Sequence, residues 1–545
     1  MNKGIEDTIN NAKNWLNKYK TGGSFCFKVK SECPVSTALA LYVVEGPIRS
    51  KAIEYLVNSK VWEKNLFAGV LFVQALKYCG EDHMAQEILS LCKKEFKKKS
   101  PEKKSNVLQH QVHHIRIEKL MDELRYTFPI GISEKDLSAV PVYTTAFKLL
   151  PKKLWYSRTS FFHDFFPFIA PMIVSSKNND LNREIVDTLI KAMNEDGSYG
   201  GVTAPTILSI YILRQFGEEY YVKRSLQWLE STMNENGSFK PLLRQDLYDT
   251  AWVCLALSNL GENVDEELEW LKSKKIENGY PYVSSGYFPD PDDTSMVLLT
   301  KSYLNKMDGG DYESLDFLLK SQNPDGGWCY CPLYKHPYLY KTLAVFLNGI
   351  GFFTTSRRRG YGFLAMLFPP RNYISTVDMT SRALITLSNF KDDINVKKSI
   401  NKGIRYLLRH YHNGMFHSTH KWTFSDIYET SMALIALYRN GVKNEKTKSA
   451  IEWLLDQKIE FAEDAAHVLW ALLEGDHERK YPDKMAEIIS SKQLPDGSWQ
   501  HNVGFFLGSA KYYSLFSMAS PLYALSLYKN RYESTSTKPP IEKPN

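Results

Sequence analysis

The sequence lacks long apolar runs and paired cysteines, and these absences exclude several large classes of protein. No uninterrupted apolar run reaches ~18 residues, so we expect no membrane-spanning helix. The first 20 residues contain no apolar core of the signal-peptide type, so we expect no leader peptide. The 7 cysteines are scattered, odd in number and without a CxxC pair, which indicates reduced thiols and a cytoplasmic protein.

The excess of positive over negative charge is also small. The net charge is +7 over 545 residues, with Lys and Arg spread along the chain. This excess is too small to indicate a nucleic-acid partner, but it suits an anionic small molecule. The aromatic stretch 161–173 contains an Asp, a His and two Pro. We interpret it as core packing, with peripheral contact to a membrane surface as the second interpretation.

Alternating strand patterns are almost absent, and an imperfect helix–turn–helix repeat takes their place. Each repeat ends in a turn in which Gly precedes an aromatic residue. Asn-Pro-Asp-Gly suits such a turn because Pro fixes φ and Gly accepts a positive φ. Gln322 and Gln493 precede two of the turns, and we expect their amides to bond the neighbouring helix. The turns are residues 194–199, 234–239, 323–328 and 494–499, with weaker copies at 22–25 and 413–416.

The helices that follow the turns begin with acidic residues, which can cap backbone N–H groups at the positive end of the helix dipole. They continue as apolar runs, such as residues 253–257 and 433–437, that are typical of buried inner helices. Alternating outer and inner helices predict an all-α fold built from α/α barrels. The acidic residues of the inner helices would then gather around one mouth of a central cavity.

The sharpest local feature is the sequence Asp290-Pro-Asp-Asp293, which places three carboxyls within four positions. Carboxylates this close repel each other, so at least one should have a raised pKa in a dry site. A neutral acid facing an apolar cavity is what protonation of a carbon–carbon double bond requires. Two other interpretations stay open, a helix cap as in the sister segments and a calcium or magnesium site. An EF-hand loop is excluded by the missing Gly and distal Glu.

The D-x-D-D-T-S motif, together with the Q-x-x-x-G-x-W sequences at 322–328 and 493–499, resembles the class II terpene cyclases, which include squalene–hopene cyclases and class II diterpene cyclases. Residues 196–201, 278–295 and 512–528 extend the resemblance over nearly the whole chain. It implies two α/α-barrel domains, with a β domain formed by residues 1–25 plus 241–530 and an inserted γ domain at 26–240. The composition of residues 531–545 predicts a disordered tail.

The resemblance also implies roles for individual residues. Asp292 matches the general acid of the family, and Asp290 and Asp293 would hold its orientation and protonation. The family's partner to the acid lies in a D-x-T-x-H pattern, where this chain has Asp378 and, in place of the His, Arg382. A cation lowers the pKa of a nearby acid. Either Arg382 pairs with Asp378 while another group contacts the acid, or it polarises the cluster.

Aromatic side chains are the candidates for stabilising a carbocation through their π faces. Trp328 and Trp499 lie in the repeat turns, where we expect a structural role. No D-D-x-x-D motif occurs, which argues against ionisation-type terpene synthase activity, and no Asp, Cys and His set points to a zinc-dependent prenyltransferase. We assign no metal ligand. The predicted substrate-binding residues are Trp422, Tyr513, Phe516, Tyr282 and Tyr287.

The function that the resemblance implies is protonation-initiated cyclisation of a linear isoprenoid. Geranylgeranyl or farnesyl diphosphate is the favoured substrate, converted to a bicyclic diphosphate with Mg²⁺ assisting, because the chain is short for a triterpene cyclase and basic. The first alternative is an uncharged polyprene such as squalene, which needs no cofactor. The second is a noncatalytic or carbohydrate-active α/α toroid, and a glycosidase would need two carboxyls ~5–10 Å apart.

Overall fold

The structure, a computed structural model, describes residues 3–25, 32–64, 66–98, 148, 166–167, 170, 174, 179–240, 246–281, 289–329, 375–418, 425–500 and 515–533. Within these ranges the regular structure is helical, apart from isolated bridges, a short 3₁₀ helix at Ser388–Phe390 and two hairpins of two-residue strands. The hairpins pair β1 (Lys20–Thr21) with β2 (Ser24–Phe25) and β3 (Tyr411–His412) with β4 (Met415–Phe416). The predicted all-α fold with two helical barrels is confirmed.

The helices are numbered here in chain order. They are α1 (Lys3–Asn17), α2 (Pro34–Ala40), α3 (Gly46–Asn58), α4 (Val61–Lys64), α5 (Leu66–Tyr78), α6 (Asp82–Lys98), α7 (Asn179–Ala192), α8 (Thr203–Gln215), α9 (Glu219–Ser231), α10 (Asp246–Asn259), α11 (Asp265–Ser273), α12 (Pro291–Tyr303), α13 (Gly309–Lys320), α14 (Val377–Leu387), α15 (Ile394–Arg409), α16 (Asp426–Arg439), α17 (Glu445–Asp456), α18 (Ala462–Gly475), α19 (Lys480–Ser491) and α20 (Phe516–Glu533). Helix α20 therefore continues past residue 531, where the tail was predicted to begin.

A closed ring of inner helices surrounds the axis of the first barrel. Helices α10, α12, α14, α16, α18 and α20 each contact the next, and α20 contacts α10 again. Nearly all residues of α10, α14, α16 and α18 are buried, as the apolar runs predict for inner helices. Outer helices α11, α13, α15, α17 and α19 each contact the inner helix that precedes them.

The N-terminal helix belongs to this first barrel although a long segment separates it from the rest. Helix α1 packs against α19 and α20, so it completes the outer ring. The amide of Phe25, in the turn after α1, donates to Thr250 Oγ1 of α10 over 3.0 Å. Gly497, which has a φ of +90°, lies so close to the Asn11 carbonyl that a Cβ would clash with it. The chain thus leaves the barrel after Phe25 and returns to it at α10.

One hydrogen bond fixes how each turn meets its inner helix. The amide of Trp328 donates to Thr380 Oγ1 over 3.0 Å. The same bond joins Phe416 to Thr430, and Tyr280 to Thr294. Because the threonine occupies the same place on each helix, it defines a common register for the inner helices.

The glutamines before two of the turns connect adjacent repeats, as expected. Gln322 donates from Nε2 to the carbonyl of Ser399 in α15, and Gln493 donates in the same way to Thr8 of α1. Each also bonds a carbonyl of its own turn. The indole of Trp328 donates to the Leu318 carbonyl over 2.8 Å, which holds the turn against the preceding outer helix.

A second, separate hydrophobic core is formed by residues between Cys33 and Phe239. The amide of Phe239 donates to Thr37 Oγ1 of α2 over 2.8 Å, so the end of this segment returns to its beginning. Phe166 and Ala170 from the aromatic stretch are fully buried here, which supports core packing. The domain boundaries at residues 25 and 240 stay a prediction. No helix in the described ranges is both long and apolar enough to cross a membrane.

Candidate active site

The first turn of α12 holds the predicted carboxyl cluster. Asp290 is the N-cap residue: its Oδ1 accepts hydrogen bonds from the amides of Asp292 and Asp293 at 2.8 and 2.9 Å. Pro291 follows at the first helical position, where its missing N–H is not needed. The helix-cap interpretation therefore holds for Asp290, and the cap leaves the two following carboxyls without a capping role.

Only one of the three carboxyls has appreciable accessible surface. Asp290 and Asp293 are 5% and 3% exposed, whereas 16% of the Asp292 side chain is accessible. Asp290 Oδ2, Asp292 Oδ1 and Asp293 Oδ1 are buried and, among the described residues, accept no well-aligned hydrogen bond. Ionised oxygens in that state would be costly. A substrate could reach the carboxyl of Asp292 but not those of its neighbours.

Protonation resolves this deficit of hydrogen bonds. Burial and the nearby Asp292 charge raise the pKa of Asp290 to about 8, although the helix-cap bonds act in the opposite direction. Burial and the two neighbouring carboxylates raise the pKa of Asp293 well above its usual range. Near pH 7 the carboxyls of Asp290 and Asp293 therefore each hold a proton.

The buried guanidinium of Arg382 on α14 contacts several side chains around the cluster, among them the sulfur of Met379, which accepts from Nη2 at 3.2 Å. Its Nη2 donates to Asp378 Oδ2 at 3.0 Å, one helical turn earlier. Its Nη1 donates to the hydroxyls of Tyr248 and Tyr428 at 2.9 and 3.1 Å. Its Nε lies 2.9 Å from Asp292 Oδ1. Arg382 therefore contacts both Asp378 and Asp292, and its role toward the acid stays a prediction.

The contact between Arg382 and Asp292 is close but poorly aligned. The Nε–Oδ1 distance of 2.9 Å suits an ion pair. Asp292 Oδ1 nevertheless accepts no hydrogen bond with good geometry from the described residues. Burial raises the pKa of Asp292 to about 6, although the Arg382 cation lowers it; the Asp378 carboxylate acts in the same direction as burial. The acid is thus near a balance between its neutral and charged forms.

The common register that the threonines give to the inner helices explains why side chains from different helices meet at the acid cluster. We call the position two residues before the register threonine the axial position. In α20, Met518 receives the turn amide of Trp499 in place of a threonine. In α18, the sequence 463–467 aligns with the sister segments. The axial residues of successive inner helices are Tyr248, Asp292, Asp378, Tyr428, Glu463 and Phe516.

Phe516, a predicted substrate-wall residue, lies in this ring and is only 6% exposed. Its ring centroid is 5.8 Å from that of Tyr248 and 6.2 Å from that of Tyr428. It also packs against His467 at 5.5 Å. Most of its surface therefore closes the barrel behind the acid cluster. Trp422, Tyr513, Tyr282 and Tyr287 lie outside the described residues, and their assignment stays a prediction.

A second pair of buried titratable groups lies on α18, opposite α12 in the ring. Burial raises the pKa of Glu463 to about 8, although Ser517 donates to its Oε2 over 2.7 Å. Burial lowers the pKa of His467 to about 4. Both groups are neutral near pH 7. Asp378 and Arg382 of α14, which are also four residues apart, instead form an ion pair.

Two functional candidates, Tyr248 and Tyr428, are absent from the residues singled out in the sequence. A signal for them exists, because each stands two residues before a register threonine, as Asp292 does. The metal-site interpretation gains no support. Across the described ranges, no group of three His, Cys, Asp or Glu side chains is arranged to hold a metal ion.

Comparison with known proteins places this geometry in a family. The family model of the prenyltransferase alpha-alpha toroid domain matches residues 144–285 and 293–463, more than half of the chain. No curated protein matches the chain. Among solved structures, ent-copalyl diphosphate synthase from Streptomyces platensis is similar with a TM-score of 0.54 and 13% identity, over 96% of this chain and 99% of that one. At this identity the match shows a shared fold along almost the whole length of both chains.

Two further solved structures are similar over smaller parts. A type II terpene cyclase from Scytonema, in complex with geranylgeranyl dihydroxybenzoate, has a TM-score of 0.38 and 15% identity, over 52% of this chain and 88% of that one. Abietadiene synthase from Abies grandis has a TM-score of 0.46 and 13% identity, over 82% of this chain and 54% of that one.

Proposed function

Because this chain belongs to the prenyltransferase alpha-alpha toroid family and has the two-barrel fold of class II terpene cyclases, we propose that it cyclises a linear isoprenoid by protonating one of its double bonds. The observation that carries the proposal is the acid cluster itself. Three carboxyls with raised pKa values lie on one helix turn beside a single guanidinium, and only Asp292 has appreciable accessible surface.

The reaction begins when Asp292 transfers its proton to the terminal alkene. The π electrons form the new C–H bond, which leaves a tertiary carbocation on the substrate and a carboxylate on Asp292. Successive alkenes attack the cation and close the rings, and a base removes a proton next to the last cation, whose C–H electron pair forms a new double bond in the product. The reaction is an isomerisation, because one proton enters and one leaves.

Arg382 stabilises the carboxylate that forms in the first step. Its Nε is already 2.9 Å from Asp292 Oδ1, so charge develops beside a fixed cation. Asp290 and Asp293 are both protonated near pH 7 and thereby add no negative charge beside the acid. Asp378 neutralises Arg382 on its far side. Together these groups hold Asp292 near the balance between its neutral and charged forms and make its proton loss less costly.

The finer proposal is that the substrate is a prenyl diphosphate, geranylgeranyl or farnesyl, whose diphosphate is retained in a bicyclic product. The net charge of +7 favours an anionic substrate over squalene. Mg²⁺ would accompany the diphosphate and neutralise part of its charge. We assign no residue to the ion.

The test is incubation of the purified chain with geranylgeranyl diphosphate, farnesyl diphosphate and squalene, each with Mg²⁺ and with EDTA. Products are dephosphorylated where needed and identified by gas chromatography and mass spectrometry. We expect a bicyclic diphosphate from one of the diphosphates and none from squalene. Turnover of squalene alone would overturn the diphosphate proposal while leaving the cyclase proposal intact.

The assignment of the acid is tested by Asp292→Asn. The amide keeps the shape of the side chain but cannot donate a proton to carbon, so we expect a loss of ~10²–10⁴-fold or more in product formation. Asp464→Asn is the matched control, because Asp464 is also a buried first-turn acid of an inner helix with a raised pKa. Cyclisation that survives Asp292→Asn, or fails equally in the control, would contradict the assignment.

A further inference from the structure

The contacts of Arg382 raise a question about the acid that the proposed function leaves open. A guanidinium and a carboxylate prefer a bidentate pair with two parallel hydrogen bonds. Such a pair at Asp292 would hold it permanently ionised and unable to protonate an alkene. The structure has only an edge contact instead, with Nε 2.9 Å from Oδ1 and no well-aligned hydrogen bond to that oxygen from the described residues.

The two tyrosines account for this orientation. Both hydroxyls accept from the same nitrogen, Nη1 of Arg382, at 2.9 and 3.1 Å, and they come from α10 and α16 on either side. The Tyr248 ring also lies 5.9 Å from the guanidinium carbon. Nη1 is therefore directed between two hydroxyls while Nη2 is directed at Asp378. A rotation that aimed two nitrogens at Asp292 would have to break these bonds.

The surrounding packing keeps the tyrosines in place. Tyr248 and Tyr428 are 5% and 2% exposed, and both contact the ring of Phe516. The His467 ring meets Tyr428 edge to face at 4.6 Å. Each hydroxyl is thus held by a rigid aromatic ring, so its position is set by the barrel core and not by Arg382.

On the basis of the proposed function, we propose that Tyr248 and Tyr428 are positioning residues that hold Arg382 edge-on to Asp292, so that the arginine stabilises the carboxylate as the proton leaves but does not lock the acid as a resting ion pair. The tyrosines act through Arg382 and need not touch the substrate. Their removal should make Asp292 more acidic at rest, the opposite of what loss of Arg382 would do.

Among the described residues, the titratable and charged groups that face Asp292 come from four inner helices. Asp290 and Asp293 lie on its own helix, Asp378 and Arg382 on α14, Tyr248 on α10 and Tyr428 on α16. Phenylalanine in place of either tyrosine keeps the ring packing and removes only the hydroxyl. No charged group is added or lost, so a change in the ionisation of Asp292 would report the orientation of Arg382.

The experiment compares pH profiles of cyclisation for the wild type, Tyr248→Phe, Tyr428→Phe and the double variant. Activity requires the protonated acid and falls as pH rises through the pKa of Asp292, about 6. We expect that alkaline limb to move to lower pH, by about one unit in the double variant, with activity recovered on acidification. Tyr523→Phe is the control, because Tyr523 is a buried tyrosine close to a different arginine, Arg439, which lies at the other end of the inner helices.

A second readout does not depend on turnover. Infrared difference spectra between each protein and its Asp292→Asn counterpart report the protonated carboxyl of Asp292 as pH varies. A lowered midpoint in the tyrosine variants supports the proposal even if the substrate is not the one proposed. An unchanged or raised midpoint overturns it, because the tyrosines would then be structural or would push Arg382 toward the acid. Absence of cyclisation by the wild type would count against the proposed function alone.

Discussion

The two ends of the first barrel contain the same kinds of group in different proportions. At the C-terminal ends of the inner helices, Arg439 pairs with Glu474 at 2.7 Å and lies close to Tyr523. At the N-terminal ends, Arg382 likewise contacts carboxyls and tyrosines. In the Arg439 pair, at what we call the balanced end, one cation faces one carboxylate. The acid end sets four carboxyls, those of residues 290, 292, 293 and 378, around one guanidinium.

The difference shows what separates a proton-donating site from a structural ion pair. At the balanced end the partners stabilise each other's charge, and the pKa of Arg439 is raised despite its burial. At the acid end one cation cannot neutralise four buried carboxylates, so protons must supply the missing positive charge. A surplus of buried acid over base therefore stores protons. The substitutions below test this difference, because some of them change the excess of buried acid over base at the acid end and others leave it unchanged.

The largest effect is expected from Arg382→Met, which removes the cation that contacts Asp292 and Asp378. Losing one partner of a buried ion pair should destabilise the fold by up to ~3–5 kcal/mol. The pKa of Asp292 should rise, so the alkaline limb of the pH profile moves to higher pH. The rate should nonetheless fall, by ~10²-fold or more, because the carboxylate formed is no longer stabilised. Denaturant unfolding and pH-dependent turnover measure both effects.

Arg439→Met is the matched variant at the other end of the inner helices. Its loss of stability should be of similar size, because Glu474 is left with its charge partly buried. The pH profile of cyclisation should not move, since the acid cluster is untouched. The comparison between the two ends fails if both variants shift the profile equally.

A smaller effect is expected from Glu474→Gln at the balanced end. The amide oxygen can still accept from Arg439 Nε and from Trp470 Nε1, as the carboxylate does at 2.7 and 3.1 Å. Loss of the charge should cost ~1–3 kcal/mol. We expect no change in the pH profile of turnover, measured between pH 5 and 9 in steps of about half a unit. A shifted profile would mean that the far end also tunes the acid.

The fold was predictable from the sequence because its signals are local. The Gly-aromatic turns share a backbone geometry, and the turn amides of Trp328 and Phe416 bond threonines that the sequence also places at helix starts. That α1 belongs to the first barrel was predicted from the resemblance and not from the turn pattern. Its physical basis is the bond from Phe25 to Thr250, which joins residues 225 positions apart.

The site was only partly predictable. The acids at 290, 292 and 293 stand together in the sequence, so their mutual repulsion can be read directly. Tyr248 lies 134 residues from Arg382, and only closure of the ring brings them together. The role of Arg382 depended on its orientation, which no sequence pattern encodes. The substrate depends on the shape of the cavity wall, and four of the five predicted wall residues lie outside the described ranges.

The smallest expected effect, and the most direct test of stored protons, is the pH dependence of stability in Asp290→Asn. The Asn side chain can still accept the two backbone amides that Asp290 Oδ1 now accepts, so the helix cap should survive. The pKa of Asp290 is raised to about 8 in the folded protein and is ~3.9 when unfolded. The stability linked to its proton is therefore complete below about pH 4 and is lost as pH rises through about 8.

The melting temperatures of the wild type and Asp290→Asn should already differ in their pH dependence at pH 5, because the unfolded carboxyl is ionised there while folded Asp290 keeps its proton. The difference should grow from pH 5 to about 8 in favour of the variant, which has no carboxyl to ionise in a buried place, and should level off above about pH 8. Scanning calorimetry or dye-based melting across this range measures the divergence. Glu474→Gln, from the balanced end, should show a constant difference from the wild type over the same range. If instead the Asp290→Asn difference is flat with pH, Asp290 holds no proton and the surplus of acid over base is smaller than the geometry implies.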